Sequence, residues 1–228
     1  MITIANPYIE THQELSEEFV SLLIVECPHE FYRIITEMTK SFNGELSDFT
    51  FWQDDEQIKP DKYGDMIVNA FSFDLTDKKI VTLLYKKLHN NYNESDLIPQ
   101  LNKINANIGF FLQELFQTVD FALDYAELTP DDVFKICSVK PSIVYDSFLE
   151  KIICYINILV ELKNTRFFVF VGLKDVLNDD DLKLLYNHCA LKKVCLLLVE
   201  SSKKRPLLSF ERAIIITDDL CEIVENYD

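Results

Sequence analysis

The chain has 228 residues, of which 48% are hydrophobic and 17 are Phe, and it carries a formal net charge of −16. Burial of that much apolar material offsets the ordering entropy of folding, which excludes a disordered chain, and the length suits one large domain or one domain with an insertion. The acidic total argues against indiscriminate nucleic-acid binding, which rests on Lys and Arg, and every apolar run is far too short to span a bilayer.

In chain order, ITIANPYI and FVSLLIVEC are expected strands, and HEFYRIITEMTKSF is an expected helix. FTFWQ and MIVNAFSF are further strands, followed by a helix from Thr76 through LLYKKLHNNY, with the Thr76 hydroxyl as N-cap. The opening MITIANPYIE has no basic segment followed by an apolar core, so no signal peptide is expected and the cytoplasm is the expected compartment.

The middle of the chain reads as helical. Leu97, Leu101, Ile104, Ile108, Phe111 and Leu115 recur at three or four residues and form one apolar stripe. Thr129-Pro130-Asp131-Asp132 is a helix start, with a hydroxyl cap, proline at the first position and acids on the positive end of the dipole. Ser142 is expected to open another helix, with Tyr145, Phe148/Leu149, Ile152, Ile156 and Leu159 on its face.

From Arg166 to Glu200 the pattern is strand, capped helix, strand: FFVFVG, then NDDD leading into KLLYNHC, then VCLLLVE. Two short apolar runs joined by a helix indicate a parallel α/β unit buried on both faces. The expected organisation is therefore an α/β head, residues 1–90 and 163–228, interrupted by a helical segment, residues 91–162. Isolated helices with wide apolar faces need a partner, which could be another copy of the chain.

Scaffolds of this kind usually serve nucleotides, yet the chain has only 4 glycines and none in a G-x-x-x-x-G-K or G-x-G-x-x-G pattern. His12, His29, His89 and His188 lack the spacing of a zinc hydrolase, and there is no G-x-S-x-G elbow. His188 and Cys189 are neighbours on one helix and point about 100° apart, so they cannot form a dyad. The six cysteines form no C-x-x-C pair; they read as buried small hydrophobes in a reducing compartment, or else as a disulfide or zinc set.

Three charged clusters remain. Asp179-Asp180-Asp181 fits either helix capping or a metal. Asp120, Asp124, Glu127, Asp131 and Asp132 have no basic residue among them and straddle a joint between helices, which fits either a solvated acidic face or calcium. Lys203, Lys204 and Arg205 follow a strand's carboxyl end, where α/β folds place their ligands; a solvated basic turn is the other reading. Locally, Lys163–Arg212 carries ten Lys/Arg against six acids, and Lys78–Asn93 has four lysines and no acid.

Taken in order, these segments resemble a known family: the small CRISPR-associated protein of type II-A systems (Csn-two). FTFWQDDEQIK with MIVNAFSFDLTDKKIVTLLYKKLHNNYN is similar to the family's first-half block, although AFSFDLTDKK stands where the family has a glycine corner. LDYAELTPDDVFKICSVK is similar to the family's middle segment at Asp124, Tyr125, Glu127, Thr129, Lys135, Val139 and Lys140. FFVFVGLKDVLNDDDLKLLYNHC with VCLLLVESSKK resembles the closing strand–helix–strand. The stretch from Glu114 to Tyr125 is about four residues shorter than the family pattern, roughly one helical turn.

The resemblance implies an α/β, RecA-like (P-loop-NTPase-like) head without a functional phosphate loop and an inserted α-helical leg. It implies a non-enzymatic homotetrameric ring that binds linear double-stranded DNA ends during spacer acquisition, with calcium holding the ring. Partners would be DNA ends, further copies of the chain, the CRISPR integrase pair and the effector nuclease, with no membrane. Lys135 and Lys140 carry over as DNA-facing residues, and Lys203, Lys204 and Arg205 join them from their own position. Asp124 and Glu127 carry over as metal ligands, with Asp120, Asp131 and Asp132 added by proximity. A ring would reconcile the charges, because a few lysines from each copy can face one channel while the exterior stays acidic. The rival readings are a nucleotide hydrolase with a divergent phosphate loop and a protein scaffold of the adaptation complex that does not bind DNA.

Overall fold

The computed structural model describes residues 1–227 as a mixed α/β protein with two sheets and, among those residues, seven α-helices. The first sheet is antiparallel and pairs β1 (Ile2–Ala5) with β2 (Gln13–Leu15) and with β4 (Thr50–Gln53), which in turn pairs β5 (Glu56–Ile58). The second contains β3 (Val20–Val25), β6 (Gly64–Ile67), β7 (Phe167–Val171), β8 (Cys195–Glu200), β9 (Glu211–Ile216) and β10 (Glu222–Asn226). Its order is β10-β9-β3-β8-β7-β6, parallel except where β10 runs back along β9.

Parallel strands buried on both faces are mainly apolar, and β3 and β8 are buried at all six positions, with Ser21 and Glu200 as their polar members. Alternate residues divide between the two faces. Leu23, Val25, Val169, Leu197 and Val199 join Ile2, Ile4, Leu15 and Phe51 of the small sheet, and Ile34 and Met38 of α1 (Pro28–Phe42), in one core. On the opposite face α6 (Phe148–Lys163) buries Ile152, Tyr155, Ile156 and Leu159, and α7 (Asp179–Leu191) buries Leu182, Leu185 and Tyr186. The short helix α2 (Pro60–Tyr63) leads directly into β6.

The aromatic centre of the core explains one glycine. Phe167 stacks on Phe51 at 5.5 Å and meets Phe42 edge-on at 5.9 Å. A Cβ at Gly64, its neighbour across the β6–β7 ladder, would lie 2.4 Å from the Phe167 ring. Gly64→Ala is expected to cost about 1–3 kcal/mol through overpacking. Chemical denaturation reads this out, and an unchanged midpoint would mean that the ring moves aside freely.

The chain separates into two compact units, Met1–Asp74 with Val144–Asp228, and Leu75–Ile143. These boundaries differ from residues 90 and 163 by two helices. The helix α3 (Lys78–Asn93) pairs with α5 (Pro130–Ile136) inside the second unit, together with α4 (Ile98–Phe116). Conversely, α6 belongs to the sheet unit, where its Tyr155 meets Phe168 at 6.5 Å and donates to the buried Asp65 at 2.6 Å.

Local signals account for three shifted ends. Asp77, not Thr76, caps α3, because its carboxylate accepts from Ile80 N at 2.8 Å. Ser147, not Ser142, opens α6: its hydroxyl accepts from Glu150 N at 3.1 Å, and Glu150 reaches back to Asp146 N at 2.7 Å. The strand expected over MIVNAFSF runs only from Gly64 to Ile67, since the Asn69 side chain accepts from Phe71 N and turns the chain.

Candidate nucleic-acid interface

The carboxyl ends of parallel strands are where α/β folds place ligands. At that edge β3 passes into α1 through Glu26 and Cys27 alone, and neither is a glycine. Pro28 occupies the first turn of α1, Cys27 makes no side-chain cap, and Glu30 adds an acid. This entry offers no extended loop of N–H groups for a phosphate, and Glu30 would repel one.

The opposite face of the sheet, under α7, carries a buried polar network. Lys174 lies in a 3₁₀ turn (Leu173–Asp175) after β7. Its Nζ donates to both carboxylate oxygens of Glu211 at 2.8 Å, and its backbone N–H donates to Glu200 at 2.9 Å. Tyr186 donates to Glu211 at 2.6 Å and Leu208 N donates to it at 2.7 Å. Burial, then the Glu211 carboxylate, pushes the Tyr186 hydroxyl well above its ordinary pKa. Burial likewise lifts Glu200 to about 7.

A strap without helix or strand, residues 201–210, joins β8 to β9 and contains three of the five basic residues expected to meet DNA, Lys203, Lys204 and Arg205. Each has an acidic neighbour. Lys203 donates to Glu225 at 2.7 Å, and Lys204 pairs with Asp175. Arg205 pairs with Asp179 and donates to the carbonyls of Lys174 and Leu177, the latter at 2.9 Å. These contacts hold the strap against the 3₁₀ turn and the start of α7. Asp179–Asp181 follow the Asn178 cap, whose side chain accepts from Asp180 N and Asp181 N at 2.9 Å, so this acidic run is helix-start chemistry.

His188 and Cys189 go separate ways on α7. His188 Nε2 lies 3.0 Å from Asn157 Oδ1, and burial lowers its pKa. Burial pushes the Cys189 thiol up to about 12, far from a thiolate nucleophile.

In the Leu75–Ile143 unit, Thr129 and Asp132 form a capping box at α5. The bond from the Thr129 hydroxyl, followed by that from its backbone N–H, holds the Asp132 carboxyl below the usual range. Asp131 faces His89 at 3.0 Å, and Asp124 accepts from Tyr125 N at 2.8 Å. The joint itself is held by Asn105 of α4, which exchanges two hydrogen bonds with the backbone of Leu128. At Gly109 a Cβ would lie 2.4 Å from the Tyr125 hydroxyl, so a larger residue there would displace that ring.

Asp120, Asp124 and Glu127 are exposed, while Asp131 and Asp132 are half-buried and engaged. Among the described residues no group of three or more His, Cys, Asp or Glu side chains is placed to hold a metal ion. Calcium asks for about six to eight oxygens, so the five carboxylates as arranged within one chain do not fit it. Lys135, in the last turn of α5, and Lys140 are both exposed. The four lysines of α3 are the basic feature to which the resemblance assigns no role; the acid-free run Lys78–Asn93 is their signal in the sequence.

Among the described residues no helix is long and apolar enough to cross a membrane. No curated protein matches the chain. The model of the family described as CRISPR-associated protein (Cas_Csn2) matches residues 41–220, which takes in β4 to β9, all of α2 to α7 and the strap. With well over half of its length matched, the chain belongs to the CRISPR-associated protein family Cas_Csn2.

Proposed function

We propose that this protein binds linear double-stranded DNA ends without sequence preference, as a non-enzymatic homotetrameric ring that supports CRISPR spacer acquisition in antiviral defence. Membership of the Cas_Csn2 family carries this reading. The head is a RecA-like scaffold without a working phosphate loop, a view supported by the parallel strands and the glycine-free link between β3 and α1. The helical unit serves as the leg. Its α4 exposes Phe110 and Phe111 at 69% and 61%, apolar surface suited to cover by another copy. Lys135 and Lys140 contact phosphates, and an acidic exterior confines DNA to the channel. The integrase pair and effector nuclease of the same system are its protein partners, and the site of action is the cytoplasm.

The test is a binding assay on linear duplex and on covalently closed circles of the same sequence. Linear DNA should bind and circles should not, because a closed ring needs an end to thread. Lys135→Ala and Lys140→Ala should weaken binding equally on all sequences and lower the salt slope by about one per contact. Equal affinity for circles and linear duplex would overturn threading, and unchanged slopes would remove both lysines from the interface.

A further inference from the structure

The helix α3 is tied to α5 at two points. Tyr85 donates to the Phe134 carbonyl at 3.0 Å with the two rings 5.6 Å apart, and His89 lies 3.0 Å from Asp131. From Tyr85 to His89 the numbers rise on α3, while their partners fall from Phe134 to Asp131, so the two helices run antiparallel.

Successive helical residues rotate by about 100°. Seen along one axis, antiparallel helices rotate in opposite senses. The residue that follows each contact residue therefore turns to the same flank of the pair. Those residues are Lys86, after Tyr85, and Lys135, after Phe134, and both are exposed. Thr82 and Asn93 lie four residues before and seven after Lys86, on the same side of α3, and are exposed as well.

Nothing on α3 opposes this charge, since Lys78–Asn93 contains no acid. The acids of α5 have their main contacts elsewhere: Asp131 at His89, and Asp132 on the N–H and hydroxyl of its own cap Thr129, with a weaker attraction to Lys135. Two ammonium groups flanked by a hydroxyl and an amide complement a phosphate backbone and carry no means of base readout.

We infer that Lys86 and Lys135 form one phosphate-binding flank of the α3–α5 pair, which takes the backbone of duplex DNA. This rests on the DNA reading above and adds a contact on a second helix.

The experiment measures the affinity of the full-length protein for a linear duplex as salt is raised, by fluorescence anisotropy. Lys86→Ala should weaken binding about fivefold and lower the slope of log K against log salt by about 0.9. Lys86→Ala combined with Lys135→Ala should lower it by about twice that amount, and Lys86→Arg should retain the wild-type slope. Lys183→Ala removes a lysine that lies 3.5 Å from Asp180 in the other unit, and should leave the slope unchanged. A wild-type slope in Lys86→Ala, or a double variant no weaker than Lys135→Ala alone, overturns the flank. An equal loss in Lys183→Ala overturns it too, since net charge alone would then explain the effect. If the wild-type protein fails to bind duplex DNA even at low salt, it is the DNA reading itself that falls.

Discussion

Replacing Glu211 by alanine is expected to lower the stability of the sheet unit by about 3–5 kcal/mol. Glu211 is 1% exposed, and its two oxygens satisfy four bonds, two from Lys174 Nζ and one each from Tyr186 and Leu208 N. Removing the carboxylate leaves the Lys174 ammonium, itself buried, without its hydrogen-bonded counterion, and leaves a hydroxyl and a backbone N–H without that acceptor. The damage comes from the stranded partners rather than from the value of the pair. The double replacement Lys174→Met with Glu211→Leu should therefore recover the part of the loss that comes from the stranded ammonium, while Tyr186 and Leu208 N still lack the Glu211 acceptor. Urea unfolding followed by circular dichroism decides the matter: a Glu211→Ala midpoint close to that of the wild type would show that the network does not hold the strap and α7 to the sheet.

Glu200→Gln should have the opposite effect, growing as pH rises from about 4.5 to about 7 and constant above. Burial is the main cause that lifts the Glu200 pKa to about 7; Asp175 adds to it, and the N–H of Lys174 and the ammonium groups of Lys174 and Lys204 act against it. The folded value lies above the ordinary 4.5, so the fold prefers the protonated acid. Stability from this group is full below about pH 4.5 and is lost as pH rises through about 7. Above that, the ionised Glu200 costs about 3 kcal/mol relative to a neutral side chain. Glutamine keeps an oxygen for Lys174 N–H and removes the charge. The variant should melt higher than the wild type at about pH 8 and together with it at about pH 4.5. Parallel melting curves across this range would mean that Glu200 is solvated rather than buried.

The sheet unit was the legible part of the chain. FFVFV and CLLLVE are continuous apolar runs, which only a strand buried on both faces explains, and the NDDD start of α7 announces its own cap. The strands β2 and β5 escaped because three residues such as QEL or EQI carry no period. The final strands β9 and β10 were also missed: ERAIIITDD reads as strand or helix alike, and the edge strand EIVEN owes its place to pairing with β9. The placement of α6 could not be read, because an apolar helix face does not say whether a sheet or another helix will cover it. At the proposed interface, Lys135 and Lys140 are marked in the sequence by their position in a family pattern. The neutralisation of Lys203, Lys204 and Arg205 is invisible there, since Glu225, Asp175 and Asp179 reach them only through the fold. Lys86 belongs with Lys135 because α3 and α5 are antiparallel, which no spacing along the chain reveals.

The strand order of the large sheet sets a timetable for birth on the ribosome. The central strand β3 is made first among the six, yet its neighbours are β8 and β9, with Ser21 opposite Leu197 and Arg212. At about 5–20 residues per second, Ser21 waits roughly 10–35 s for Leu197 to be synthesised. Until then six consecutive residues destined for complete burial have no neighbouring strand of their own sheet to pair with. The entire Leu75–Ile143 unit emerges during that interval and needs no later segment to complete its internal contacts. The nascent protein thus passes through a stage with a folded helical unit and an open sheet, when the VSLLIV segment depends on transient cover, from α1 or from a chaperone, to stay out of aggregates.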